Sequence, residues 1–372
     1  MFLISNSIAW SFSYFFLYLY IFLTFSVILY LLPVVKEVLN YSSKKNSVVF
    51  DYLNGFDLFY FLITPLFFCL LISFSWSHYT SLPWFGHLIF SSLQYKINFL
   101  ILFFFFNIII IYTVSFYFSS REVYDYILTC FNFFFWIVFL FTANTIFTFI
   151  FFIEVLGTLI FLLVITSTFS TTYFYNNLNL NLHSYFNSTT PFFYVQMLMY
   201  FFWISLISSL NLFFFLVLFY IKFLTFDWFL LEFIFNYVVL LSNRSEVLSI
   251  SLIWFNLVFC IFLKCGLVPF YFWKPIFFKG VPMHSLFFYI SFFYFFLFLF
   301  IFHFFLVYVN EVFYFFIYIN LVLILFGFIL LLLVLCESYY LKTFLAFSSI
   351  LNSLFVFFAL SGLVFNDVIF FI

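Results

Sequence analysis

The chain has 372 residues, of which 69% are hydrophobic and 6% charged, and its formal net charge is −1. An ordinary soluble domain carries about 25% charged residues, so this chain has too few ions to cover a water-facing surface and no basic footing for nucleic acid. Phenylalanine fills 80 positions and glycine 7. Membrane helices approach one another through small residues, so packing does not ask for this bias; the AT-rich codons of phenylalanine, tyrosine, isoleucine and asparagine suggest an organelle genome instead.

About 20 apolar residues span a bilayer, and the rare charges mark where such runs stop. The first charge is Lys36, so the start of the chain lacks the basic region of a secretory signal or transit peptide. The expected fold is all-α: one transmembrane domain over 1–372, a polytopic bundle of about ten helices. In chain order the expected spans are 9–35, 56–76, 97–119 and 126–142, which form an N-terminal group over 9–142. A core over 145–309 follows, with spans 145–168, 192–221, 248–273 and 284–309, and then two last helices, 312–335 and 341–365. Thr142-Ala143-Asn144-Thr145 divides a long apolar stretch, and Asn176-Asn177 through Thr190-Pro191 reads as a polar loop. The stretch 223–242, interrupted by Asp227 and Glu232, reads as an interfacial helix. A β-barrel is not expected, because barrels need alternating polar positions that these runs lack.

Orientation follows from lysine and arginine. With the amino terminus outside, the inner loops hold Lys36, Lys44, Lys45, Arg121, Lys274, Lys279 and Lys342, against Lys96, Lys222 and Arg244 in the outer loops. Trp10, Trp76, Trp84, Trp228 and Trp273 fall near span ends, as in an aromatic belt. Cys69, Cys130, Cys260, Cys265 and Cys336 form no CxxC pair and read as isolated membrane thiols. His78, His87, His183, His284 and His303 share no metal-ligand spacing, and no glycine-rich phosphate loop is present. No cofactor and no metal are expected.

Two charges fall inside spans. Glu154 stands about nine residues into the helix that starts near Thr145, roughly 14 Å along its axis. Lys264 follows a long uncharged run and precedes Pro269. An ionisable group at that depth costs a few kcal/mol, and it normally faces protein or water. The bland alternatives are a protonated carboxyl in a helix–helix hydrogen bond and a lysine that snorkels to the interface. Pro269 has no N–H to donate and would clash with the carbonyl of Cys265. The helix is therefore expected to kink or break there, and the freed carbonyl needs a partner or water. Interrupted helices at membrane depth line polar cavities.

Around the break the chain reads Lys264-Cys-Gly-Leu-Val-Pro-Phe-Tyr-Phe-Trp-Lys-Pro275, then Gly280-Val-Pro282. This resembles the K-x-G-x-x-P-F-H-F-W-x-P…G-x-P signature of subunit 2 of respiratory NADH:ubiquinone oxidoreductase (complex I), an antiporter-like membrane subunit. Two flanking segments agree: Phe-Ile-Glu154-Val-Leu-Gly with that family's fifth helix, and Leu341-Lys-Thr-Phe-Leu-Ala-Phe-Ser-Ser-Ile350 with the entrance to its tenth. The resemblance covers roughly residues 100–365. It implies a complex I membrane-arm subunit in the mitochondrial inner membrane, surrounded by other membrane-arm subunits and lipid. In it Glu154 pairs with Lys264, the two carry translocated protons, and redox chemistry takes place elsewhere. The departures are Tyr271 for the signature's histidine, Met199 for a lysine in the sixth helix, and Tyr294 for a lysine in the eighth. A relay past Lys264 would then use waters, the Tyr294 hydroxyl or His303, and a weakened axis is expected there. The family has about fourteen helices against about ten expected here, so the resemblance implies either that the C-terminal helices are lost or that a separate polypeptide supplies them as a further partner. Two other readings stay open: a stand-alone cation/proton antiporter of the same fold, and a structural complex I subunit that no longer pumps.

Overall fold

The computed structural model describes residues 86–89, 121–167, 191–227, 244–294, 310–336 and 338–361, with isolated helical positions within 96–107 and 230–234. Every extended regular element among these residues is helical, as the composition led us to expect. Among the described residues three helices, Ile146–Ser167, Tyr194–Phe223 and Leu341–Phe358, are long and apolar enough to cross a membrane. The spans expected at 9–35 and 56–76 lie outside the described residues. The chain folds as two compact units, Met1–Asn177 and Leu178–Ile372.

In the first unit, α1 (Arg121–Thr142) and α2 (Ile146–Ser167) form a helical hairpin around the turn that the Thr-Ala-Asn-Thr signal marked. The turn is built by capping. Thr145 Oγ1 accepts the Thr148 N–H at 3.2 Å, and Thr148 Oγ1 accepts the Thr145 N–H at 3.2 Å. This is a capping box with threonine in place of the usual glutamate. A short segment ties the turn down: the Ile89 N–H donates to Thr142 O at 2.8 Å, the Asn144 N–H to His87 O at 2.9 Å, and the Asn144 side chain to Gly86 O at 2.7 Å. Below the turn, Phe139 stacks on Phe152 at 6.0 Å and Trp136 leans on the same ring at 5.9 Å. Replacing Thr145 by alanine removes the cap and is expected to cost about 1 kcal/mol. Thermal melting of the protein in detergent should show a small drop in Tm for this variant and almost none for Thr145→Ser.

The second unit opens with α3 (Pro191–Phe223), whose 33 residues rise about 50 Å. That exceeds a hydrocarbon core of about 30 Å, so the helix tilts or projects from it. The chain leaves the helix at Leu224, which adopts a left-handed φ of 57°. Further on, the Leu231 N–H donates to Asp227 O at 3.1 Å. Of the interfacial helix expected over 223–242, residues 230, 231 and 234 are helical, and residues 228–229, 232–233 and 235–243 lie outside the described residues. Next come α4 (Arg244–Cys265), α5 (Trp273–Gly280) and α6 (Met283–Phe288), the last running on into a π-helical turn, Tyr289–Tyr294. The unit ends with α7 (Asn310–Cys336) and α8 (Leu341–Ser361). The span expected over 284–309 is helical as far as Tyr294, and the rest of it is not described.

The short helix α5 packs against both α3 and α8. Phe277 of α5 stacks on Phe201 of α3 at 5.1 Å and meets Tyr289 at 5.0 Å. Phe262 of α4 contacts Phe357 of α8 at 5.0 Å, and Phe328 of α7 contacts Phe355 of α8 at 4.6 Å. Gly327 of α7 lets the loop after α4 come close: a Cβ there would lie 3.1 Å from Val268 Cβ and 3.0 Å from Leu354 Cδ1.

Candidate functional site: a helix break closed by a buried lysine

The break lies one residue beyond Lys264, and glycine makes it. The Leu267 N–H donates to Phe262 O at 2.9 Å and the Gly266 N–H to Leu263 O at 3.3 Å. Gly266 has φ +63°. These two bonds around a left-handed residue form a Schellman motif, which stops a helix cleanly. The span expected over 248–273 is therefore corrected: α4 ends at Cys265, residues 266–272 form a loop, and Trp273 starts a separate helix. Pro269 sits in that loop with its side chain exposed and its preceding peptide cis. It prevents the helix from resuming, but it does not free the Cys265 carbonyl, because the helix has already ended.

That carbonyl does find partners, as expected of an orphan group at a buried helix end. Lys274 Nζ donates to Cys265 O at 3.3 Å, and the Tyr294 hydroxyl donates to the same oxygen at 2.9 Å. The neighbouring Leu263 carbonyl receives the Trp273 indole N–H at 3.3 Å. Lys274 Nζ also lies over the Tyr294 ring, 3.7 Å from its centroid, within cation–π range. The Ser353 hydroxyl of α8 is in hydrogen-bonding reach of the Tyr294 hydroxyl. Cys265, Lys274 and Tyr294 thus converge from α4, α5 and the π-helical turn, while α8 brings Ser353.

Three expectations change here. Lys274, assigned to an inner loop, is 0% exposed and belongs to the interior of the unit. Trp273, assigned to an aromatic belt, is 2% exposed and serves as a donor to the broken helix. At Tyr294, where a weakened axis is expected, a lysine from another element, Lys274 of α5, lies against the ring, which counts against aligning Tyr294 with the eighth-helix lysine of the resemblance. In the sequence Lys274 looks like a flanking charge, because only seven residues separate α4 from α5. The usable signal was the proline on each side of Tyr271-Phe-Trp-Lys274, which marks a chain that turns back on itself.

Lys264 is half-buried in the last turn of α4, where a cation complements the negative end of the helix dipole. Glu154 is half-buried on α2 in the first unit, and a Cβ added at Gly157, one turn further on, would meet nothing within 4 Å. Glu154 and Lys264 belong to different units, and each has interactions of its own. Tyr271 is half-buried with its ring 6.4 Å from Phe347, whereas Met199 is exposed on α3. His303 lies outside the described residues.

At the other end of α5, Lys342 Nζ donates to Val281 O at 2.9 Å and Lys279 O at 3.4 Å. The lysine that opens α8 thereby closes the short helix. Hydrogen bonds from a charged donor contribute about 1.5–3 kcal/mol. Lys342→Met is accordingly expected to lower Tm by more than Thr145→Ala does, and Lys342→Arg by less.

No group of three or more His, Cys, Asp or Glu side chains suited to a metal ion occurs among the described residues. No protein-family model matches the chain, and comparison with the curated proteins finds no match either.

Proposed function

We propose that this chain is an antiporter-like membrane-arm subunit of respiratory NADH:ubiquinone oxidoreductase, similar to subunit 2, in the mitochondrial inner membrane. The observation that carries the reading is the break itself. The Lys264–Pro275 segment, on which the resemblance rests, folds into a helix end with a lysine in its last turn and a second lysine on its orphan carbonyl. Broken helices with ionisable groups at their ends are where transporters hold and pass cations. In this reading redox energy released in other subunits drives proton movement. Glu154 biases the proton affinity of Lys264, which accepts a proton from one side and passes it on. The chain itself carries no redox chemistry, and its partners are neighbouring membrane-arm subunits and lipid.

The test is native electrophoresis of gently solubilised membranes, stained for NADH dehydrogenase activity, with mass spectrometry of the active band. Peptides of this chain are expected in that band at a level equal to known membrane-arm subunits. Migration of the chain apart from the activity would turn the reading toward a stand-alone antiporter.

A further inference from the structure

Lys274 has a setting that its sequence position did not suggest. It is 0% exposed, and its contacts are the Cys265 carbonyl and the face of Tyr294. Among the described residues no carboxylate lies within ion-pair distance of it. A structural lysine in so dry a place is normally neutralised by an anion, because an uncompensated buried charge is costly. Here the two contacts respond differently to the proton. The carbonyl accepts a hydrogen bond from either an ammonium or a neutral amine, whereas the aromatic face attracts only the cation. The Tyr294 ring therefore favours the charged form without fixing it, and gain or loss of a proton leaves the carbonyl bond in place.

We propose that Lys274 is a second proton-carrying residue of this subunit, delivered by α5 to the face of Tyr294 at the end of the broken helix. This rests on the proposed function and adds a residue to it. Lys274 accepts one proton onto its neutral Nζ lone pair and later releases the same proton, with no other bond made or broken. Tyr294 and the Cys265 carbonyl position the amine in both states. Tyr294 is thus a positioning residue here, not a station in its own right. The competing role for Lys274 is a permanent cap on the α4 carbonyls.

Two variants in the intact complex separate the roles. Lys274→Gln keeps a donor for the Cys265 carbonyl but has no titratable proton, and Lys274→Arg keeps a charge that it does not release. NADH-driven proton pumping is measured by dye quenching in proteoliposomes that hold equal amounts of assembled complex. Both variants are expected to assemble and to pump about 10²-fold more slowly, the lower end for loss of a positioned proton-transfer group. A cap needs only a donor, so pumping at the parental rate by either assembled variant overturns the proposal. Failure of both to assemble assigns Lys274 to capping and overturns it as well. Absence of the chain from the NADH dehydrogenase band is a different failure, seen before any variant is made; it removes the subunit reading and this proposal with it.

Discussion

Gly266→Val is expected to abolish stable incorporation of the subunit. A β-branched residue in the left-handed region costs roughly 1–2 kcal/mol. The new Cβ would also stand 3.2 Å from Lys274 Cδ and 3.2 Å from the Trp273 ring carbons Cε2 and Cζ2. Both neighbours are fully enclosed, so neither can move aside without disturbing α5, and overpacking of this kind costs about 1–3 kcal/mol. The sum is a large share of the 5–15 kcal/mol by which a protein is ordinarily stable. It falls on the one loop that presents both Lys274 and Trp273 to the end of α4. Gly266→Ala should be milder, and Gly266→Asn close to it, since asparagine tolerates a left-handed φ but still carries a Cβ. Native-gel abundance should fall in the order glycine, then alanine and asparagine, then valine. Equal abundance for all four would mean that the break does not depend on a left-handed residue at 266.

Glu154→Gln and Lys264→Met should leave assembly intact and remove proton pumping. Both replacements keep side-chain bulk, and both relieve the cost of an ionisable group within an apolar helix. A merely structural role therefore predicts equal or greater stability with unchanged pumping. A carrier role predicts a loss of about 10²-fold or more in NADH-driven proton movement at matched complex content. Lys264→Arg distinguishes charge from exchange: it keeps the cation at the end of α4 and should still fail to pump. Parental pumping by Glu154→Gln and Lys264→Met together would move the reading to a structural subunit that keeps the fold without the activity.

Local signals made the helical architecture legible, and tertiary packing hid part of the site. The hairpin between α1 and α2 was readable because its turn carries its own capping groups, Thr145 and Thr148. The break after Lys264 was also readable, although its cause was misassigned. Pro269 drew attention as the stronger helix breaker, while the decisive residue was Gly266 at the position just past the helix end. A glycine there with a proline shortly after is the usual sequence of a helix stop. Lys274 was not legible, because nothing near it in sequence says that α5 folds back between α3 and α8. Tyr294 was singled out as a substitution and turned out to be the surface against which Lys274 rests. Its hydroxyl and its ring both matter, and only the first is apparent when it is read as a lysine that is missing.

The most direct measurement is a high-resolution cryo-electron-microscopy map of the NADH dehydrogenase complex from the native membrane. Expected is this chain within the membrane arm, with ordered waters joining Lys264 to Glu154 and reaching Lys274 at the face of Tyr294. A dry gap filled by phenylalanine rings between these groups, or a membrane arm without this chain, would contradict the proton-carrying role.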